Sequence, residues 1–241
     1  MDDSFYQKNL ENSQNPTLQF VELNKCGLGK NSSKEMYRKR ADILMSEFSG
    51  AVALETRNRV LNHSLNCWSN VCAVWNACLE SEPSAFRYSS CDTCEQRVSH
   101  VHSLGVNHKI LARKKFGALE EALEYHQRLY KVKCQQDQCP GSCIVDLVVD
   151  LHIFIELDIH PELTCKASLR CKLRDFPTNL NFDGVSYRLA GVIERIPGHY
   201  VAYTRRTNGQ WQEASNIKEK IVPSHGGHEI EPHGVIYAMK T

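Results

Sequence analysis

This sequence lacks a charge imbalance. Its 241 residues carry 29 Lys and Arg against 28 Asp and Glu, a formal net charge of +1, with no long basic run. That excludes the electrostatic footprint that binding to a nucleic-acid backbone requires. Long apolar runs are missing too, and none approaches the roughly 18 residues that span a bilayer. The first residues, Met1-Asp-Asp-Ser-Phe-Tyr-Gln7, are polar and acidic, without the form of a signal peptide. The expectation is an intracellular protein, cytoplasmic or nuclear, that binds neither nucleic acid nor membrane. There is no internal repeat, low-complexity tract or flexible linker. What is present is ordinary in bulk: 41% hydrophobic and 24% charged, the composition of a globular protein. The length holds one large domain or two small ones.

Cysteine departs from this plainness. Eleven are present. In a reducing compartment they read as metal ligands, a nucleophile or small buried hydrophobes rather than disulfides. Cys91-Asp-Thr-Cys94 is a Cys-x-x-Cys pair, and Cys134, Cys139 and Cys143 follow around Pro140-Gly141. Two knuckles about 40 residues apart suit one tetrahedral Zn²⁺ held by four thiolates. The expected ligands are Cys91, Cys94, Cys134 and Cys139, with Cys143 the competing choice for the last place. The alternative is a ribbon whose thiols no longer bind metal. A thioredoxin-like redox pair is disfavoured, because Cys91 does not open a helix after a strand.

Apolar periodicity places the helices early. Ser33 is a suitable N-cap for a helix through about Phe48. A second helix is expected to begin near Cys67, burying Trp68, Val71, Cys72, Trp75 and Leu79 in one stripe until Glu82-Pro83 ends it. Leu119 to Leu129 reads as a third, with Leu119, Ala122, Leu123 and Leu129 inward. Leu147-Val-Val and Leu151-His-Ile-Phe-Ile155 read as buried strands. The last 70 or so residues read as strand and turn. Helices first and sheet later is the α+β order.

Near the C-terminus, Tyr187, Leu189, Gly191 and Ile193 share one face of a strand, Pro197-Gly198 is a turn signal, and Tyr200-Val-Ala-Tyr203 resumes as strand. His199 stands at the mouth of that turn, where a cysteine hydrolase keeps its general base. A plain hairpin with an exposed histidine is the other reading. His225, His228 and His233 read as solvated loop residues before the last strand rather than as metal ligands.

Tyr187 to Tyr203, followed by Trp211 and Val235-Ile-Tyr-Ala-Met239, resembles the histidine box of the ubiquitin-specific proteases. Phe176-Pro177-Thr-Asn-Leu180 resembles the family's approach to its palm sheet. The likeness runs from about Ser89 to Thr241. It implies a papain-like α+β cysteine-protease fold with a helical thumb, zinc-ribbon fingers and an antiparallel palm. Residues 1–88 would be the thumb-like helical region and 89–241 the fingers and palm. The implied activity is thiol hydrolysis of the isopeptide bond after the ubiquitin C-terminal diglycine. Ubiquitin or its conjugates would be the partner, Zn²⁺ a structural ion, and no organic cofactor is implied.

The resemblance also assigns the remaining site residues. The cysteine box is matched by Asn62-His-Ser-Leu-Asn66-Cys67-Trp68-Ser69-Asn70. Cys67 would then be the nucleophile and Asn62 the oxyanion donor, five residues ahead of it. Ser215 stands where the family orients its histidine, with Asn216 next; either can bond a His N–H without adding charge. Two departures weigh against hydrolysis. The glycine-rich approach to the cysteine is absent, and only 23 residues separate Cys67 from Cys91. This arrangement is similar to a truncated or divergent, mobile-element-associated branch of the family. A catalytically inactive domain that binds ubiquitin or another protein is the second reading, and a zinc-ribbon nucleic-acid binder a distant third.

Overall fold

A computed structural model describes residues 33–48, 52–57, 60–65, 70–157, 170–215, 218 and 221–240, with the isolated positions 16, 19, 20 and 23. The chain divides into two compact units, Met1–Glu82 and Pro83–Thr241.

In the first unit, α1 (Ser33–Glu47) occupies the expected stretch and pairs Glu35 with Lys39 one turn apart. Then β1 (Val52–Arg57) and β2 (Val60–Leu65) pair antiparallel, with Arg57 opposite Val60. This hairpin lies inside a region expected to be helical. A search for helical period passes over β-branched Val52, Thr56 and Val60, which favour strand. α2 (Val71–Cys78) starts later than the expected position near Cys67, because Asn70 caps it: its side-chain oxygen accepts the Cys72 N–H at 2.8 Å. The expected stripe is present in part, with Cys72 and Leu79 buried and Trp75 half-buried. Cys67 and Trp68 lie outside the described residues.

The second unit is built on two antiparallel sheets. β3 (Ala85–Cys91) and β4 (Arg97–Val101) come first, then α3 (His108–Lys114) and α4 (Leu119–Leu123). β5 (Tyr130–Lys133) and β6 (Ser142–Val149) complete a four-stranded sheet of order β4-β3-β6-β5. Along β6 burial alternates strictly: Cys143, Val145, Leu147 and Val149 point inward. The helix expected over 119–129 is shorter. It passes into a 3₁₀ turn, Glu124–Gln127, where the Tyr125 hydroxyl and His126 Nε2 both reach the Gly105 carbonyl oxygen, at 2.8 and 2.9 Å. Leu119, Ala122 and Leu123 are buried as expected, but Leu129, read as inward, is 64% exposed.

The larger sheet holds β7 (His152–Glu156), β9 (Asn179–Phe182), β10 (Val185–Ile196), β11 (His199–Arg205), β12 (Trp211–Ala214), β13 (Val222–Ser224) and β15 (Pro232–Met239). Its order is β13-β12-β11-β10-β15-β7, with β9 also on β10; β8 (Cys171–Lys172) and β14 (Glu229–Ile230) pair separately. β10 does not keep one alternation. Leu189 faces Tyr237 and Gly191 faces Ile236, so β10 carries one extra residue there. Beyond this bulge the core face passes to Val192, opposite Val235 and Tyr203, while Ile193 leaves it. The face expected to hold Tyr187, Leu189, Gly191 and Ile193 is therefore correct only as far as Leu189.

Ser84 ties the two sheets together. Its fully buried hydroxyl donates to the His102 carbonyl at 2.7 Å and accepts the Phe154 N–H at 2.9 Å. Ser84→Ala leaves both backbone groups without this partner, and we expect a loss of about 1–3 kcal/mol of unfolding free energy. Urea unfolding of both proteins checks this; a change within experimental error rejects it.

Candidate functional site

Two clusters carry chemistry. The first is at one end of the four-stranded sheet. β3 ends on Cys91, the turn after it holds Cys94, and the loop between β5 and β6 supplies Cys134 and Cys139. Their four sulfurs lie within 4.8 Å of one another. Cys91 Sγ is 3.8 Å and Cys94 Sγ 3.1 Å from Cys139 Sγ. A tetrahedral ion bonded to sulfur at about 2.3 Å separates its ligands by about 3.8 Å. The first distance matches that edge, and the second would have to open by about 0.7 Å. The cluster is thus the right size and donor type for one metal ion. Cys143, the competing choice, faces Cys91 across β3 and β6, buried beside Cys134.

Backbone geometry builds this end of the sheet. The Thr93 N–H points at Cys91 Sγ and the Gly141 N–H at Cys139 Sγ, each at 3.4 Å. Side chains are excluded at 141: a Cβ there would meet Asp92 and stand 2.8 Å from Cys91 Sγ. The Asp92 carboxylate locks the two loops together, accepting the Ser142 N–H and hydroxyl and the Thr93 hydroxyl, each at 3.0 Å. These donors, the Ser142 N–H foremost, hold the Asp92 carboxyl below its usual range.

The thiols titrate against one another. The Thr93 N–H brings Cys91 down to about 7, whereas the neighbouring Cys139 sulfur pushes Cys94 up to about 12. Burial lifts Cys143 to about 11. A bound dication would favour the thiolate at every ligand.

The second cluster surrounds the β10–β11 hairpin. Ile196 faces His199 across a two-residue turn, with Pro197 first and Gly198 second at φ 74°. Proline presets the first turn position, and a positive φ at the second favours glycine. Strand alternation then puts His199 on the face of Val201 and Tyr203. His199 Nε2 lies 2.9 Å from Ser215 Oγ. Asn216 lies outside the described residues, as does Cys67; Asn62 is in β2.

On the same face is a network the sequence did not reveal. The Tyr203 hydroxyl donates to Glu194 Oε2 at 2.9 Å and is 3.0 Å from His228 Nε2, while Glu194 Oε1 accepts the Glu231 N–H at 3.1 Å. With its one proton directed at Glu194, the tyrosine oxygen accepts from His228. Burial and the Glu194 carboxylate push the Tyr203 phenol well up, so it stays a hydroxyl. His228 and His233 are therefore not solvated loop residues: one braces Tyr203, and the other is 3% exposed within β15, its ring edge-on to Tyr200. His225 is exposed as expected. The available signal was Glu194, a charge inside an apolar strand. A cleft of about 390 Å³ beside the turn is lined by Arg170, Glu194, Arg195, Ile196, Pro197 and Glu231, among others.

No family profile and no curated protein matches the chain. Solved structures do. A chain of the SAGA Ubp8/Sgf11/Sus1/Sgf73 DUB module aligns over 92% of this chain and 51% of its own, at 16% identity and TM-score 0.45. The same module bound to ubiquitin aldehyde aligns over 65% and 41%, at 17% and 0.41. The Saccharomyces cerevisiae PAN2 pseudoubiquitin-hydrolase-RNase module aligns over 91% and 42%, at 10% and 0.42. The chain thus spans about half, or less, of the length of these relatives. The fold is mixed helix and sheet with antiparallel sheets.

Asp92 gives a test of the metal cluster. Asp92→Ala removes the lock between the two loops and should weaken metal affinity by about 10–100-fold. A Co²⁺ titration followed by thiolate absorption reads this; equal affinities would show that the loops hold without it.

Proposed function

We propose that this chain is a ubiquitin-specific-protease-like domain of the thiol-hydrolase type with an impaired cysteine box, and that ubiquitin conjugates are its ligands. The observation that supports this best is His199 at a strand start, oriented at 2.9 Å by Ser215. With its Nε2–H donated to Ser215, the ring keeps its lone pair on Nδ1, where a general base needs it. Cys67 would be the thiol that loses its proton to Nδ1, and Asn62 the amide facing the developing oxyanion. Asn216 is the alternative orienter. Ser215 fixes the ring but carries no charge to stabilise the imidazolium. Gly198 at the turn leaves room for a narrow channel that accepts only glycine. Zn²⁺ would be held by Cys91, Cys94, Cys134 and Cys139 and would cross-link two loops, a structural role.

A second reading, binding without turnover, is favoured by α2. A thiol nucleophile is activated at a helix N-terminus. Here the first turn begins at Val71 and its Cys72 N–H is taken by Asn70, three positions after Cys67.

Metal analysis of protein expressed with zinc should give about one Zn²⁺ per chain; a content near zero removes the ribbon. Ubiquitin carrying a C-terminal electrophile separates the two functional readings. We expect saturable binding of ubiquitin, no covalent labelling, and no difference between wild type and Cys67→Ser. Labelling that disappears in Cys67→Ser establishes hydrolysis. Absence of both binding and labelling rejects ubiquitin as the ligand.

A further inference from the structure

The metal cluster has five sulfurs, not four. Cys143 lies outside the set within 4.8 Å, yet it is buried beside Cys134 in the same packed cluster as Cys91. It also faces Cys91 directly in the β3–β6 register. The next backbone bond fixes the kind of pair: the Asp92 N–H donates to the Ser142 carbonyl at 3.1 Å. That bond belongs to the neighbouring positions 92 and 142, which makes Cys91 and Cys143 a non-hydrogen-bonded pair. In such pairs the Cα atoms stand about 4.5 Å apart, inside the roughly 4.4–6.8 Å that a disulfide bridges. The register thus places the two cysteines directly opposite one another, in a pair type whose backbone spacing a disulfide can bridge.

We propose that Cys91 and Cys143 form a disulfide under peroxide that competes with metal binding, so that the ribbon is an oxidation-sensitive site. The proposal rests on the reading of Cys91, Cys94, Cys134 and Cys139 as ligands, which leaves Cys143 as the thiol not taken by the metal. In the first step the Cys91 sulfur attacks hydrogen peroxide. An S–O bond forms, the O–O bond breaks, and hydroxide leaves, taking a proton from solvent to become water. Cys143 sulfur then attacks the sulfenic sulfur: the S–S bond forms, the S–O bond breaks, and the departing hydroxide takes the Cys143 proton as a second water. Two sulfurs lose two electrons and the peroxide gains them. Three thiols remain for the metal, which dissociates as Zn²⁺.

The test uses the full chain loaded with zinc, exposed to hydrogen peroxide. Zinc release is followed with a chromogenic chelator, and cysteine pairing by non-reducing peptide mapping. A Cys91–Cys143 cross-link is expected, appearing with zinc release and reversed by dithiothreitol. Cys143→Ser should still load one zinc and release it about tenfold more slowly, since the thiol that faces Cys91 from outside the ligand set is gone. Equal release rates, or a Cys94–Cys139 cross-link in place of Cys91–Cys143, overturn the proposal while leaving the ribbon intact. If no zinc loads, the ribbon reading fails separately. The peptide map of the metal-free chain then decides alone: a Cys91–Cys143 link supports the pairing, and its absence rejects it.

Discussion

One extra residue in β10 decides which side of the larger sheet His199 occupies. Because side chains alternate with period two, a shift of one residue moves everything beyond it to the opposite face. The bulge between Leu189 and Gly191 passes the core face from Leu189 to Val192. Glu194 and Ile196 follow Val192 on that face. The two-residue turn pairs Ile196 with His199, so the histidine inherits it. Ser215, placed by β12 beside β11, reaches the ring only from there.

The metal cluster depends on a different constraint, close approach of backbone to sulfur. Gly141 is required because Asp92, Thr93 and Cys91 fill the space of a Cβ. The two loops come from separate hairpins and meet only because β3 and β6 are paired. Asp92 joins them with three accepted hydrogen bonds, so the sulfurs are gathered by the sheet and by a carboxylate rather than by their own attraction. Packed thiols oppose one another's ionisation, as the Cys94 thiol pushed up by Cys139 illustrates.

Much of this was legible in the residues. The Cys-x-x-Cys knuckle and its counterpart around Pro140-Gly141 predicted the four-sulfur set, because close ligand spacing is local information. Pro197-Gly198 predicted the turn for the same reason. The β10 phase was not legible, since a bulge is set by pairing with a strand some 45 residues away. The hairpin at β1–β2 was missed because the helical expectation over 1–88 came from the resemblance, whereas β-branched Val52, Thr56 and Val60 favour strand. Leu129 was misplaced because Tyr125 and His126 bind the distant Gly105 carbonyl and end the helix early. The Glu194–Tyr203–His228 network required two strands and a loop to be brought together first.

The placement of charge around the hairpin bears on function. Among the described residues the buried carboxylate is Glu194. It lies two residues from Ile196 on the face that His199 shares, close enough in sequence to have served the histidine. Instead, both of its oxygens are engaged, one by the Tyr203 hydroxyl and the other by the Glu231 N–H. It thereby fixes the segment around His228 against the sheet. Among the described residues His199 is bonded to the neutral Ser215. An imidazole that must carry a proton through a reaction gains most from a neighbouring charge, whereas a ring that only holds a shape needs a hydrogen bond alone. The sheet applies its charge to rigidity and its neutral hydroxyl to the histidine.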